Sequence, residues 1–398
     1  MGLNDTPKAN RLHIAFFGKR NAGKSSVVNS VTGQDLAIVS DVMGTTTDPV
    51  FKSMELLPLG PVVIIDTPGI DDEGPVGGMR VKKALGILNQ TDVAVLVVDA
   101  SAGISREDME LIERFKEKAI PYIIAYNKSD TAPVTLDGQN EIAVSAKDMT
   151  NIEELKELIG RSARPEGEGR RIIGDRLSKE DVVVLVTPID SSAPKGRLIL
   201  PQVQTIRDVL DSEAICVQTR PEQLPAALRA LARPANMVVT DSQAFSIVKD
   251  MVPDSMLLTS FSILFARYKG LLETAVRGVG QLDSLSDGDR ILIAEGCSHH
   301  RQCEDIGTVK LPKWIEAHTG RKLEFEFASG TGFPSELSGY AMVVHCGGCM
   351  LNAREMLYRQ SRAEAQRVPI TNYGILISYM NGILKRSLRV FPEIARLL

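Results

Sequence analysis

The apolar run L-H-I-A-F-F, Leu12–Phe17, leads without a break into G-K-R-N-A-G-K-S, Gly18–Ser25, and few folds accommodate that succession. Glycines let consecutive backbone N–H groups wrap an anion, a lysine brings a point charge to it, and the following helix offers its positive end. A strand, a tight loop and a helix in this order predict a phosphate-binding loop. Gly18, Asn21, Ala22, Gly23, Lys24, Ser25 and Ser26 then surround the phosphates, with Ser25 a ligand of Mg²⁺.

Four more motifs follow in the order such a loop demands. D-T-P-G, Asp66–Gly69, comes after the apolar run Val62–Ile65, so Asp66 stands at a strand end where it can hold Mg²⁺ through water and Gly69 can offer its N–H to a γ-phosphate. N-K-S-D, Asn127–Asp130, follows the run Tyr122–Ala125, and Asp130 is placed to accept hydrogen bonds from N1 and the exocyclic amine of guanine, which selects GTP over ATP. S-A-K, Ser145–Lys147, resembles the last guanine loop, and G-T-T-T-D, Gly44–Asp48, resembles a first switch with Thr46 as a Mg²⁺ ligand. The set resembles that of translation-factor-type GTPases. It implies catalytic roles for Lys24, Thr46, Asp66 and Gly69, and nucleotide contacts from Asn127, Lys128, Asp130, Ser145, Ala146 and Lys147.

Two departures bear on mechanism. Ile70 follows D-T-P-G where many GTPases carry a water-orienting glutamine, which predicts slow intrinsic hydrolysis. Asn21 and the long stretch Ser40–Thr47 resemble GTPases of the TrmE/Era group that are activated by potassium, with K⁺ at Asn21 supplying the charge of an arginine finger. The simpler alternative is that Asn21 only shapes the loop.

With 398 residues, 43% hydrophobic and 24% charged, the chain is long enough for several cores and too apolar for disorder. The expected class is α/β: a P-loop GTPase domain over residues 1–165, then two smaller α/β domains over 172–260 and 263–398. The polar stretch R-P-E-G-E-G-R-R, Arg164–Arg171, reads as the linker after the first. A net charge of −4 without a basic block argues against nucleic acid as a partner. No signal core and no long apolar segment is visible, so no membrane association and a cytosolic location are expected.

Four of the five cysteines lie in the last third of the chain. C-S-H-H, Cys297–His300, follows the apolar run R-I-L-I-A-E-G, and H-C-G-G-C, His345–Cys349, follows Y-A-M-V-V-H. If those strands are neighbours in a parallel sheet, Cys297, Cys346 and Cys349 meet at its carboxyl edge. Zinc, a thiol redox pair and an iron-sulfur cluster all remain open on spacing alone. Cys216, inside I-C-V-Q-T, reads as a small core residue, and Cys303 stays ambiguous.

A GTPase domain, a middle α/β segment and a final C-x-H…H-C-x-x-C segment together resemble the HydF family, the GTPases that mature diiron (FeFe) hydrogenases. The resemblance implies a 4Fe-4S cluster on Cys297, Cys346 and Cys349, with the fourth iron ligand open among His299, His345, Glu304, Asp305 and an exogenous group. It further implies a homodimer formed through the middle segment. It also implies a scaffold that receives a transient diiron subcluster from radical-SAM maturases and delivers it to apo FeFe-hydrogenase. The alternative is a zinc-containing TrmE/Era-like GTPase that assists RNA or ribosome assembly.

Overall fold

Strands in the middle of a parallel sheet need cover on both faces, and this requirement shapes the N-terminal part of the chain. The computed structural model describes residues 8–34, 49–57, 59–70, 81, 83–163, 171–189, 198–296, 306–330 and 332–398. The chain divides into two units, residues 1–168 and 169–398. In the first, β1 (Leu12–Phe17), β2 (Val50–Leu56), β3 (Gly60–Asp66), β4 (Val93–Asp99), β5 (Tyr122–Asn127) and β6 (Glu141–Ala143) lie in the order β2-β3-β1-β4-β5-β6. Only β2 runs antiparallel, against β3.

Alternate residues of each central strand serve the two faces. Ile14, Phe16, Val62, Ile64 and Val95 pack with Val27, Val28 and Val31 of the helix Lys24–Thr32 and with Leu155 and Ile159 of the helix Ile152–Ser162. On the other face Ala15, Phe17, Ile65 and Leu96 meet Leu111 and Phe115 of the helix Arg106–Glu117. That helix starts where Ser105 and Asp108 cap each other: the Asp108 N–H donates to Ser105 Oγ at 3.3 Å and the Ser105 N–H to Asp108 Oδ2 at 3.0 Å. Because β1, β3, β4 and β5 run parallel, their carboxyl ends share one edge, where such sheets place ligands.

The second unit holds two four-stranded sheets, both wholly parallel. β7 (Val182–Val186), β8 (Ile215–Thr219), β9 (Met237–Thr240) and β10 (Leu257–Ser260) take the order β10-β9-β7-β8. β11 (Arg290–Glu295), β12 (Glu324–Ser329), β13 (Met342–His345) and β14 (Ile370–Asn372) take the order β12-β11-β13-β14.

The two sheets share one core. Val183, Leu185, Met237 and Val239 from the first and Ile291, Ile293, Met342 and Val344 from the second belong to one buried cluster, with Phe265, Val276, Ile375 and Phe391 among its members. The end of the chain returns to the first sheet, where Arg386 donates to the carbonyls of Lys249 and Val252 and Arg389 to that of Asp254. Cys216 is half-buried, because β8 is an edge strand and its neighbour Ile215 is 45% exposed. Burial still pushes the Cys216 thiol up to about 11.

Helix Leu272–Val279 lies so close to β14 that a Cβ on Gly278 would stand 2.2 Å from the Ile370 carbonyl oxygen. Gly278→Val should therefore destabilise the second unit by about 3 kcal/mol, the upper part of the range for overpacking. Trp314, the single tryptophan, belongs to this unit, so its fluorescence during urea unfolding reads the change. An unchanged midpoint would contradict the close packing.

Candidate functional site

The loop after β1 is drawn tight by geometry that few residues permit. Gly23 has φ 83°, and a Cβ there would stand 2.2 Å from Asn127 Nδ2. Asn127 takes up that space: its Nδ2 donates to the Ala22 carbonyl at 3.0 Å, and its Oδ1 accepts the Ala146 N–H at 3.1 Å. One side chain from the end of β5 thus ties Gly18–Ser25 to Ser145–Lys147. Lys128 adds a second tie, donating to the Asn21 carbonyl at 2.9 Å and pairing with Asp99 at 2.6 Å. Asn21 itself is exposed with φ 60°, a conformation asparagine tolerates better than most residues.

The guanine side is assembled by the same means. Ser145 Oγ donates to Asp130 Oδ1 at 2.9 Å, and Lys147 Nζ lies 3.9 Å from Asp130 Oδ2, which holds the carboxylate in place. Ser30 Oγ reaches the Ala146 carbonyl at 3.1 Å. Gly18, Ala22, Lys24 and Asn127 are buried, whereas Ser26 and Gly69 are half-buried.

D-T-P-G closes the phosphate end. Thr67 Oγ1 donates to the Phe16 carbonyl at 2.7 Å, and the Ile70 N–H reaches the Gly18 carbonyl at 3.4 Å. Ser25 Oγ donates to Asp66 Oδ2 at 2.8 Å, while Asp66 Oδ1 is buried without a hydrogen-bond partner among the described residues. Burial raises the Asp66 pKa, opposed by the Lys24 ammonium and the Ser25 hydroxyl. An orphaned, buried carboxylate oxygen beside a serine hydroxyl fits a hard cation, so these donors suit Mg²⁺. Thr46 and the rest of Gly44–Asp48 lie outside the described residues.

In the second unit, β11 and β13 are direct parallel neighbours, with Ala294 opposite His345. The Cys346 N–H donates to the Ala294 carbonyl at 2.8 Å, and the Gly296 N–H donates to Cys346 Sγ at 3.1 Å. A second N–H, from Gly348, reaches the same sulfur at 3.3 Å. Two amides aimed at one sulfur favour its thiolate, and this donor set suits a thiolate-bound metal centre. Gly296 is the residue before Cys297, but Cys297 lies outside the described residues, as do His299, His300, Cys303, Glu304 and Asp305. Among the described residues no group of three metal-ligating side chains is found.

Two buried cations flank this strand end, and nothing in the sequence singled them out. Arg359, 1% exposed, donates to Glu355 at 2.9 Å, to the Gly330 carbonyl at 2.6 Å and to His345 Nε2 at 2.9 Å. An arginine can only donate, so His345 accepts at Nε2 and its Nδ1–H donates to the Cys346 carbonyl at 2.7 Å. Burial, with Arg359 adding to it, lowers His345 to about 3. Both ring nitrogens of this neutral histidine are engaged, so the geometry argues against His345 as the fourth iron ligand. The other cation is Lys269, which donates to the Gly348 and Leu351 carbonyls. Burial lowers its pKa to about 8, opposed by Cys349 and Cys346. A cavity lined by Thr274, His345, Cys346, Arg359, Gln360 and Asn372 opens beside them.

Comparison with known proteins agrees with this division. Residues 13–128 match the family model of the 50S ribosome-binding GTPase, residues 172–270 that of the hydrogen maturase F dimerization domain, and residues 253–390 that of the hydrogen maturase F tetramerization domain. GTPase Der of Maridesulfovibrio salexigens is 41% identical over 128 residues, 31% of this chain and 28% of that protein. The tRNA modification GTPase MnmE of Chromobacterium violaceum is 32% identical over 166 residues, 39% of this chain and 36% of that protein. The chain thus spans about a third of the length of these curated relatives. That unit is a GTPase domain with a site fitted to GTP and Mg²⁺. The two hydrogen maturase F models together cover residues 172–390, more than half of the sequence, and the chain belongs to the hydrogen maturase F family.

Proposed function

We propose that this protein is a GTP-hydrolysing scaffold and carrier in FeFe-hydrogenase maturation. It holds a 4Fe-4S cluster on Cys297, Cys346 and Cys349, receives a diiron precursor from radical-SAM maturases and passes it to apo-hydrogenase in the cytosol. The observation that carries this reading is the pairing of β11 with β13, through which the amide next to Cys297 reaches Cys346 Sγ. Anaerobic reconstitution followed by visible absorption and by iron, sulfide and zinc analysis tests it. Stoichiometric zinc in a colourless protein would favour the rival reading, a zinc-containing GTPase. Self-association is expected through residues 172–270, with a second region over 253–390, in line with the two family models.

At the nucleotide end, Lys24 stabilises the transferring phosphoryl group, and Asp130 reads guanine. Mg²⁺, when bound, would supply further positive charge, with Ser25, Thr46 and Asp66 as the residues that would hold it. Ile70 cannot orient water, which keeps hydrolysis slow. Lys24→Ala should lower GTP turnover by about 10²-fold or more, as removal of one charge-stabilising donor does. Asp130→Asn should weaken the preference for guanine over adenine nucleotides in competition binding. Unchanged turnover in Lys24→Ala would defeat the site assignment.

Potassium at Asn21 forms part of the same proposal. Replacing K⁺ by Na⁺ at constant ionic strength should slow hydrolysis, and equal rates in both salts would leave Asn21 with only a backbone role.

Cys297→Ala, Cys346→Ala and Cys349→Ala should each strip or destabilise the cluster, whereas Cys216→Ala should retain it. GTP hydrolysis should survive in all four, since the nucleotide motifs lie in the other unit. Full iron content in Cys297→Ala defeats the ligand assignment.

A further inference from the structure

Lys269 sits at the C-terminal end of the helix Phe261–Tyr268, which leaves β10 in the other sheet of the second unit. Its side chain crosses to the C-G-G-C turn, 79 positions along the chain from Gly348, and is only 4% exposed. There the ammonium donates to the Gly348 carbonyl within that turn and, at 2.9 Å, to the Leu351 carbonyl just past it. Among the described residues no carboxylate pairs with it, and the turn it binds is the one that carries Cys346 and Cys349.

A buried ammonium persists only where a compensating charge stands close by. Arg359 does not compete for this role, because Glu355 pairs with it. We propose that Lys269 is a positioning residue for the cluster: it pins the turn bearing Cys346 and Cys349 and supplies the fixed positive charge that their thiolates balance. The proposal rests on the cluster reading given above. It has two physical consequences. Without the ammonium, the Gly348 carbonyl keeps only the Leu351 N–H at 3.0 Å and the Leu351 carbonyl loses the bond from Lys269, so the turn loosens around its two thiolates. A cluster also gains one negative charge on reduction, so a fixed cation beside two of its ligands favours the reduced form and raises the reduction potential.

The test compares full-length wild type with Lys269→Gln, Lys269→Met and Lys269→Arg, each reconstituted anaerobically with iron and sulfide. Iron release to a chelator and the midpoint potential by dye-mediated titration are both read. Lys269→Gln and Lys269→Met should release iron at least tenfold faster and titrate at a more negative potential, while Lys269→Arg keeps a potential near wild type. Loosened packing alone does not predict that charge-dependent ordering. If Lys269→Met is insoluble, Lys269→Gln against Lys269→Arg carries the comparison. Wild-type iron retention and potential in Lys269→Gln overturns the proposal. A wild-type protein that holds no iron and sulfide overturns the cluster reading itself, and the role of Lys269 with it.

Discussion

Parallel strand pairing is the constraint on which everything else in this protein depends. A parallel neighbour brings a second carboxyl end to the same edge of a sheet, so any residue just past a strand end meets residues just past the next one. In the first unit the alignment of β1, β3 and β5 brings Ser25, Asp66 and Asn127 into one site. In the second, the pairing of β11 with β13 sets Gly296 against Cys346. The physics is the same in both, although one edge is furnished with glycines, a lysine and a carboxylate and the other with thiols.

Each edge is then locked by polar side chains that face inward. Asn127 binds the loops on either side of it through both ends of its amide, which fixes the spacing between phosphate and base regions. His345 and Arg359 act similarly beneath the C-G-G-C turn, where the guanidinium satisfies a carboxylate, a carbonyl and an imidazole at once. Such fully satisfied networks are rigid, because leaving any member unpaired in a buried setting is costly. Preorganisation of this kind suits a chain whose proposed task is to hold and hand over a cargo rather than to transform it.

The shared core of the second unit has a functional corollary. Val183 and Leu185 of one sheet and Ile293 and Val344 of the other are buried in one cluster, so the segment matched to dimerization and the segment bearing the cysteines cannot shift independently without opening that core. Lys269 lies across this join, with its backbone in one sheet's helix and its ammonium at the other's turn. The segment matched to dimerization and the C-G-G-C turn therefore belong to one packed unit.

The sequence by itself determined the strands and the chemistry that leaves them. Near-continuous apolar runs such as Leu12–Phe17 and Val93–Val98 announce strands covered on both faces, and the motifs behind them carry their own glycines and charges. It could not determine that two sheets share one core, because Val344 has the same hydrophobicity whichever sheet lies across from it. Nor could it mark Cys216 as half-buried, since the edge position of β8 follows from strand order and not from I-C-V-Q-T. Lys269 and Arg359 look like ordinary solvated charges at helical positions, and only tertiary packing withdraws them from water. Local pattern records which face of an element is apolar, whereas the partner of that face, and the charge buried beneath it, are decided by contacts between residues far apart in the chain.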